Sequence, residues 1–253
     1  MTSLSVMIIT LNEEKNIRRC IESVKEVADE IIVVDSFSAD KTREICMSLN
    51  VIFIEHAFAG YITQKNFALS KASNRYVLSL DADESLSEEL ARSVLDEKEK
   101  DFPADGYTMN RFNFYCGKWI KHGSYYPDRK LRLLNTQKGK WGGTDPHDKI
   151  EMRESAIVKQ LNGDLLHYTY ESFEDHQQKA RQFSSIAAKA LFEKGKRASW
   201  LKLLFSPAWA FFHGFILKLG FLDGYAGFMI AKISANQSHL KYKKLIQLYK
   251  EKK

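Results

Sequence analysis

Short apolar runs and amphipathic segments alternate through the first hundred residues. The apolar runs lie at 4–10, 31–34, 51–54 and 76–80, and the segments between them have helical hydrophobic spacing. Strands that are apolar along their whole length are typical of a parallel sheet covered on both faces, and strands alternating with helices are typical of α/β domains. The sequence therefore predicts an α/β fold with a mostly parallel central sheet and helices on both faces, as in nucleotide-binding domains.

The chain changes character after this region. Residues 115–150 are rich in glycine, aromatic and charged side chains, which predicts an irregular segment that carries binding groups. From Glu171 onward the spacing of apolar residues is helical. We expect a nucleotide-binding and catalytic domain at 1–170, followed by a helical, amphipathic extension at 171–253.

Two carboxylates stand directly after the fourth predicted strand, in the run Asp81-Ala82-Asp83-Glu84. An ionised carboxylate without a partner costs several kcal/mol when it is buried. Mg²⁺ or Mn²⁺ is a suitable partner, because these ions bind carboxylates together with substrate phosphates. Open α/β sheets also bind ligands at the carboxyl ends of their strands. A solvated turn before a helix is the alternative interpretation.

The charge balance is basic, with a net charge of +6 and an isoelectric point near 9, which favours anionic partners such as phosphates or an anionic membrane. Cys20, Cys46 and Cys116 are scattered and form no C-x-x-C pair. This pattern argues against a disulfide framework and against structural zinc. The first residues lead into a strand without a basic leader, so we expect a cytoplasmic protein.

Residues 199–235 are the most apolar part of the chain, although Lys202 and Pro207 interrupt them. A membrane-spanning helix needs about 20 predominantly apolar residues, and interrupted aromatic and basic segments are more typical of helices lying in the membrane interface. The basic tail would be attracted to anionic headgroups. A buried helix pair that caps the domain, with a solvated basic tail, is the alternative.

Three ordered motifs resemble family 2 glycosyltransferases of the GT-A fold: 5–10 with Asn12-Glu13-Glu14, then 33–42, then 80–84. Later segments resemble the subgroup of lipopolysaccharide core-biosynthesis transferases, and the similarity covers nearly the whole chain: 126–128, 131–133, 147–148, 167–168 and 220–224. In one respect the chain departs from the common family pattern, because Ser36 stands where a second acid usually follows Asp35.

The resemblance implies an inverting enzyme that moves a sugar from a nucleotide diphosphate donor to a lipid-linked saccharide acceptor, such as lipopolysaccharide core. It implies Mg²⁺ or Mn²⁺ as cofactor, with Asp83 as the metal ligand and with Asp81 and His167 as further candidates. A buried histidine in the core is the alternative for His167. The expected donor-binding residues are Thr10, Asn12, Glu14, Asp35, Lys65 and Asp81.

Inversion also needs a general base that takes the proton of the acceptor hydroxyl. Asp148 is our first choice and Asp128 the alternative. The residues expected to contact the acceptor or the diphosphate are Arg129, Arg132, Trp141 and His147. The two arginines are suited to this role because arginine binds phosphate and carboxylate oxygens bidentately.

Two other functions stay open. The acceptor could be a polyprenyl phosphate or an exopolysaccharide, or the chain could be a basic module that binds membrane or nucleic acid without catalysis. Paired acids at a strand end are not expected of a nucleic-acid-binding module. We therefore expect the partners to be a nucleotide sugar, a lipid-linked saccharide and the inner face of the cytoplasmic membrane, and no nucleic acid.

Overall fold

The computed structural model describes residues 2–144 and 147–251. The chain divides into two compact units. The first consists of Met1–Arg111 and Arg129–Tyr168, and the second of Phe112–Asp128 and Thr169–Lys253. A domain boundary at residue 170 stays a prediction.

The first hundred residues form strands and helices in alternation. They are β1 (Leu4–Thr10), α1 (Ile17–Val24), β2 (Glu30–Asp35), α2 (Thr42–Ser48), β3 (Ile52–Glu55), α3 (Tyr61–Lys71), β4 (Tyr76–Asp81), β5 (Glu84–Leu86) and α4 (Glu88–Glu99). A region of strands follows, made of β6 (Gly106–Tyr115), β7 (Lys118–Trp119), β8 (Asp128–Asn135), β9 (Gly139–Thr144), β10 (His147–Met152) and β11 (Val158–Tyr170). The chain ends in helices: α5 (Phe173–Glu193), α6 (Trp200–Phe212), a π-helical turn (His213–Leu217), a 3₁₀ turn (Gly220–Asp223) and α7 (Gly224–Glu251).

The main sheet has the strand order β3-β2-β1-β4-β8-β6-β11-β5, with β7 paired to β6. Strands β1 to β4 are parallel to one another, and β8 continues the sheet antiparallel to β4. The predicted α/β fold with a mostly parallel central part is confirmed. Thr10 is in register with Asp35, and Ile9 with Asp81, so the strand ends that carry predicted site residues lie side by side.

Successive residues of β1 pack on opposite faces of the sheet. Val6 and Ile8 join the core cluster that includes α1, whereas Met7 and Ile9 join the cluster that includes α3. Side chains alternate between the two faces of a strand. Each fully buried aliphatic side chain stabilises the folded state by about 1.5–3 kcal/mol. This two-sided burial explains why β1 is apolar along its whole length.

Residues 115–150 are not irregular as predicted, since they contain β7, β8 and the antiparallel hairpin of β9 and β10. The hairpin buries one side chain from each strand, Trp141 from β9 and Ile150 from β10. A strand that buries so little has no alternating apolar pattern, which is why the sequence did not predict the hairpin.

In the second unit, α5 and α6 both pack against α7. His176 of α5 is buried between tyrosines. Its Nδ1 lies 2.8 Å from the hydroxyl of Tyr115, and its ring stacks on Tyr170. Burial lowers the pKa of His176 to about 4, so the imidazole is neutral at physiological pH. The histidine is therefore part of an aromatic core.

Candidate active site

Strands β2 and β4 end in acidic side chains at the same edge of the sheet. Asp81, the last residue of β4, forms two ion pairs. Its Oδ1 lies 2.9 Å from Lys65 Nζ of α3, and its Oδ2 lies 3.0 Å from Arg132 Nη2 of β8. Burial by itself raises the pKa of Asp81, but these two cations outweigh it and hold the pKa well below its usual value. Asp81 is therefore a carboxylate neutralised by protein side chains.

Lys65 connects Asp81 to the predicted base. Its Nζ lies 2.8 Å from Asp148 Oδ2 and 4.3 Å from the centroid of the Trp141 ring. The β9–β10 hairpin that carries Asp148 is fixed to α3 by Asn66, whose amide side chain makes hydrogen bonds of 2.9 and 3.1 Å with the backbone of Trp141. The structure thus brings Asp148, Lys65 and Asp81 into one network.

Glu84 was not predicted to belong to the site, yet it is fully buried beside Asp81. Its carboxylate accepts a hydrogen bond of 2.6 Å from Arg132 Nη2 and one of 3.1 Å from the backbone N–H of Asp81. Arg111 Nη1 lies 3.7 Å away. Burial opposes the charge on Arg132, but Glu84 and Asp81 outweigh it and raise the guanidinium pKa. The one indication in the sequence that Glu84 belongs to the site is its position directly after Asp83.

We expect Arg132→Leu to reduce the free energy of unfolding by about 3–5 kcal/mol, because it leaves the charge of Glu84 buried without its closest partner. Chemical denaturation measures this loss. Arg129→Leu on the same strand is the matched control, since Arg129 is exposed, and its effect should stay within about 0.5 kcal/mol. Adding Glu84→Gln to Arg132→Leu should recover part of the loss. A loss below about 1 kcal/mol for Arg132→Leu would contradict this account.

Asp83 and His167 form a second pair, in which Asp83 Oδ2 lies 3.3 Å from His167 Nε2. The backbone fixes this pair, because Tyr168 N–H donates to the carbonyl of Asp83 and β11 pairs with β5 at His167 and Glu84. Burial raises the pKa of Asp83, but the proximity of His167 outweighs it, so the pKa is lowered. Both side chains are partly exposed, 27% for Asp83 and 14% for His167.

The Asp83–His167 pair fits a divalent cation. A carboxylate oxygen and an imidazole nitrogen are ligands that Mn²⁺ accepts, and Mg²⁺ also binds through one or two carboxylates plus substrate phosphates. Within residues 2–144 and 147–251 there is no group of three or more His, Cys, Asp or Glu side chains that could complete a metal site. The remaining ligands would have to be substrate oxygens or water, as when Mg²⁺ binds through one or two carboxylates and substrate phosphates.

Hydrogen bonds connect the loop after β1 to the loop after β2. Asp35 accepts hydrogen bonds from the N–H and hydroxyl of Ser38, and the Ser38 hydroxyl in turn accepts one from the N–H of Asn12. Asn12 Oδ1 and Glu14 Oε2 accept backbone N–H groups at Ala39 and Lys41. These contacts fix the shape of the edge where the nucleotide is predicted to bind.

Four further residues that were predicted for the site are Thr10, Asp128, Arg129 and His147. Thr10 Oγ1 is buried and makes no hydrogen bond within the described residues. Arg129 and His147 are exposed, on β8 and β10 respectively. Asp128 begins β8 and belongs to the second unit. The roles assigned to all these side chains stay predictions.

Comparison with known proteins agrees with the resemblance. Residues 5–161 match Glycosyl transferase family 2. An uncharacterised glycosyltransferase of Rickettsia typhi is 35% identical over 263 residues, covering 98% of this chain and 88% of the relative. The lipopolysaccharide core biosynthesis glycosyltransferase LpsC of Rhizobium meliloti is 28% identical over 249 residues, covering 96% and 92%. The crystal structure of S. aureus TarS has a similar fold, with a TM-score of 0.50 and 16% identity over 94% of this chain and 55% of that one. The chain belongs to glycosyl transferase family 2.

Proposed function

We propose that this protein is an inverting glycosyltransferase that moves a sugar from a nucleotide diphosphate donor to a lipid-linked saccharide acceptor of the lipopolysaccharide core. Membership of the family supports the reaction class, and the similarity to LpsC over nearly the full length of both chains supports the acceptor class. The observation that carries the proposal is the pair of Asp83 and His167 beside the Asp81–Lys65–Asp148 network.

Asp83 and His167 are the residues that would hold Mg²⁺ or Mn²⁺. A bound cation would act as a Lewis acid and stabilise the negative charge of the leaving diphosphate. Lys65 and Arg132 keep Asp81 ionised and bring two further positive charges to the same edge of the sheet. The loops closed by Asp35 and Asn12 lie at the neighbouring strand ends, where the nucleotide of the donor would bind.

Asp148 would act as the general base. The Lys65 ammonium, 2.8 Å away, orients its carboxylate on the β9–β10 hairpin, and a general base must lie within hydrogen-bond reach of the proton it removes. The exposed side chains of Arg129 and His147 are available to an acceptor. Trp141 is 2% exposed, and its contact with Lys65 suits it to positioning that side chain.

The acceptor would be carried by lipid, so the enzyme would work in the cytoplasm at the inner face of the cytoplasmic membrane. A polyprenyl phosphate or an exopolysaccharide as acceptor is the second candidate, since the motifs that resemble the family do not identify the acceptor.

A donor and acceptor screen tests the proposal. The protein is incubated with a panel of sugar nucleotides in Mn²⁺, Mg²⁺ or EDTA, and release of nucleoside diphosphate is measured. We expect release that needs metal, and transfer with anomeric inversion to a detergent-solubilised core lipopolysaccharide. Transfer to polyprenyl phosphate instead would favour the second candidate. No release from any donor would contradict the proposed reaction.

A further inference from the structure

Helix α6 presents an apolar face to solvent. Six large side chains spaced at i, i+1, i+4, i+5, i+9 and i+12 share this face, and each is between 45% and 74% exposed. They form the α6 surface: Trp200, Leu201, Leu204, Phe205, Trp209 and Phe212. None of the thirteen described residues of α6 is buried. A surface helix of a soluble domain normally turns its polar face outward, and contiguous exposed apolar side chains mark an interaction surface.

The α6 surface lies in a strongly basic part of the chain. Ten Lys or Arg residues and one acidic residue occur between residues 194 and 250, whereas residues 1–193 contain 26 basic and 30 acidic residues. The single acid, Asp223, is 4% exposed, and its carboxylate accepts hydrogen bonds from the backbone N–H groups of Lys121 and His122. The charges that flank the α6 surface are therefore positive, as Lys196, Arg197, Lys202 and Lys218 are. An anionic partner fits this arrangement.

The dimensions of α6 favour a position along a membrane rather than across it. Residues Trp200–Leu217 are long and apolar enough for a span by length and composition, and 6% of them are buried. However, the regular helix has 13 residues and a length of about 20 Å, whereas the hydrocarbon core is about 30 Å thick. Lys202 lies within α6, and the chain turns back at Leu219, which has a left-handed backbone.

We propose that the α6 surface docks onto an anionic lipid bilayer, with α6 lying in the interfacial plane. The apolar side chains would enter the boundary between headgroups and acyl chains, and the flanking basic residues would remain at the headgroups. Tryptophan is enriched at this depth, and the α6 surface carries two. The inference rests on the proposed function, since a lipid-linked acceptor is carried by such a membrane.

Vesicle binding tests the inference directly. The full-length protein is sedimented with vesicles of phosphatidylcholine alone and with an equimolar mixture of phosphatidylcholine and phosphatidylglycerol, and tryptophan emission is recorded. We expect binding to the mixed vesicles with a blue shift. Leu204→Glu/Trp209→Glu should weaken binding at least about tenfold, and Lys202→Gln about fivefold. The matched control is Met47→Glu/Ile157→Glu, which charges two exposed apolar residues of the first unit and should bind like the parent.

The outcomes separate this inference from the proposed reaction. Leu204→Glu/Trp209→Glu should release nucleoside diphosphate from donor in solution as fast as the parent, because Asp83, Lys65 and Asp148 lie in the first unit. Unchanged vesicle binding by this variant would overturn the inference and leave the reaction intact. A parent dimer that dissociates in this variant, without vesicle binding, would show that a second copy covers the surface and would also overturn it. Vesicle binding without donor turnover would contradict the reaction alone.

Discussion

Alanine in place of Asp83 is expected to lower metal-dependent release of nucleoside diphosphate about a thousandfold, because a cation held by Asp83 would supply several kcal/mol of transition-state stabilisation. Asp83 contributes the carboxylate of the Asp83–His167 pair, and its partly exposed side chain is accessible to a substrate-bound ion. Initial rates over a range of Mn²⁺ concentrations measure the effect, and the residual activity should no longer respond to EDTA.

Folding controls accompany this variant. Asp96→Ala is the matched substitution, since Asp96 is an exposed aspartate of α4, and it should retain parental activity. Circular dichroism and thermal unfolding of Asp83→Ala should resemble those of the parent. If Asp83→Ala keeps metal-dependent turnover within a few-fold of the parent, Asp83 is not the ligand that activates the leaving group.

Asp148→Asn is expected to abolish sugar transfer while leaving donor binding intact. Removing a general base costs about 10²–10⁴-fold in rate, and asparagine keeps the shape of the side chain. Lys65 retains its ion pair with Asp81 at 2.9 Å, so the donor side of the network stays charged and ordered. Calorimetric titration with donor and metal, together with a transfer assay on solubilised acceptor, separates binding from chemistry.

The alternative base is tested in parallel. Asp128→Asn should transfer sugar at a rate close to that of the parent, because the proposed base is Asp148, whose carboxylate Lys65 Nζ orients from 2.8 Å. Normal transfer by Asp148→Asn would show that the base has been assigned wrongly. If transfer is then lost in Asp128→Asn, Asp128 is the base.

The central strands of the sheet could be predicted from the sequence, because each of them is a contiguous run of mostly apolar residues. Strand β1 was predicted at its observed bounds, Leu4–Thr10, and the next three strands within a residue or two. All seven residues of β1 are buried, so an uninterrupted apolar run identifies it. Residues 199–235 were recognised as the most apolar part of the chain, but the expectation that Pro207 interrupts a helix there is wrong, since Pro207 lies inside α6.

The network around Lys65 could not be predicted from the sequence in this way. The sequence placed Lys65 on a helix near the donor, but Asp81 and Asp148 lie 16 and 83 residues away along the chain. Only the sheet order, with β8 next to β4, brings Arg132 to Asp81 and Glu84. Glu84 was missed because a lone acid after a motif gives no sign that it will be buried by an arginine from another strand.

We propose that Asp83, assisted by His167, binds a divalent cation together with the diphosphate of the donor. Crystals of the protein soaked with Mn²⁺ and UDP test it most directly, because manganese can be located by its anomalous scattering. We expect a manganese peak bonded to the Asp83 carboxylate and to phosphate oxygens of UDP. Well-ordered crystals with UDP bound and nothing coordinated beside residues 81 and 83 would contradict it.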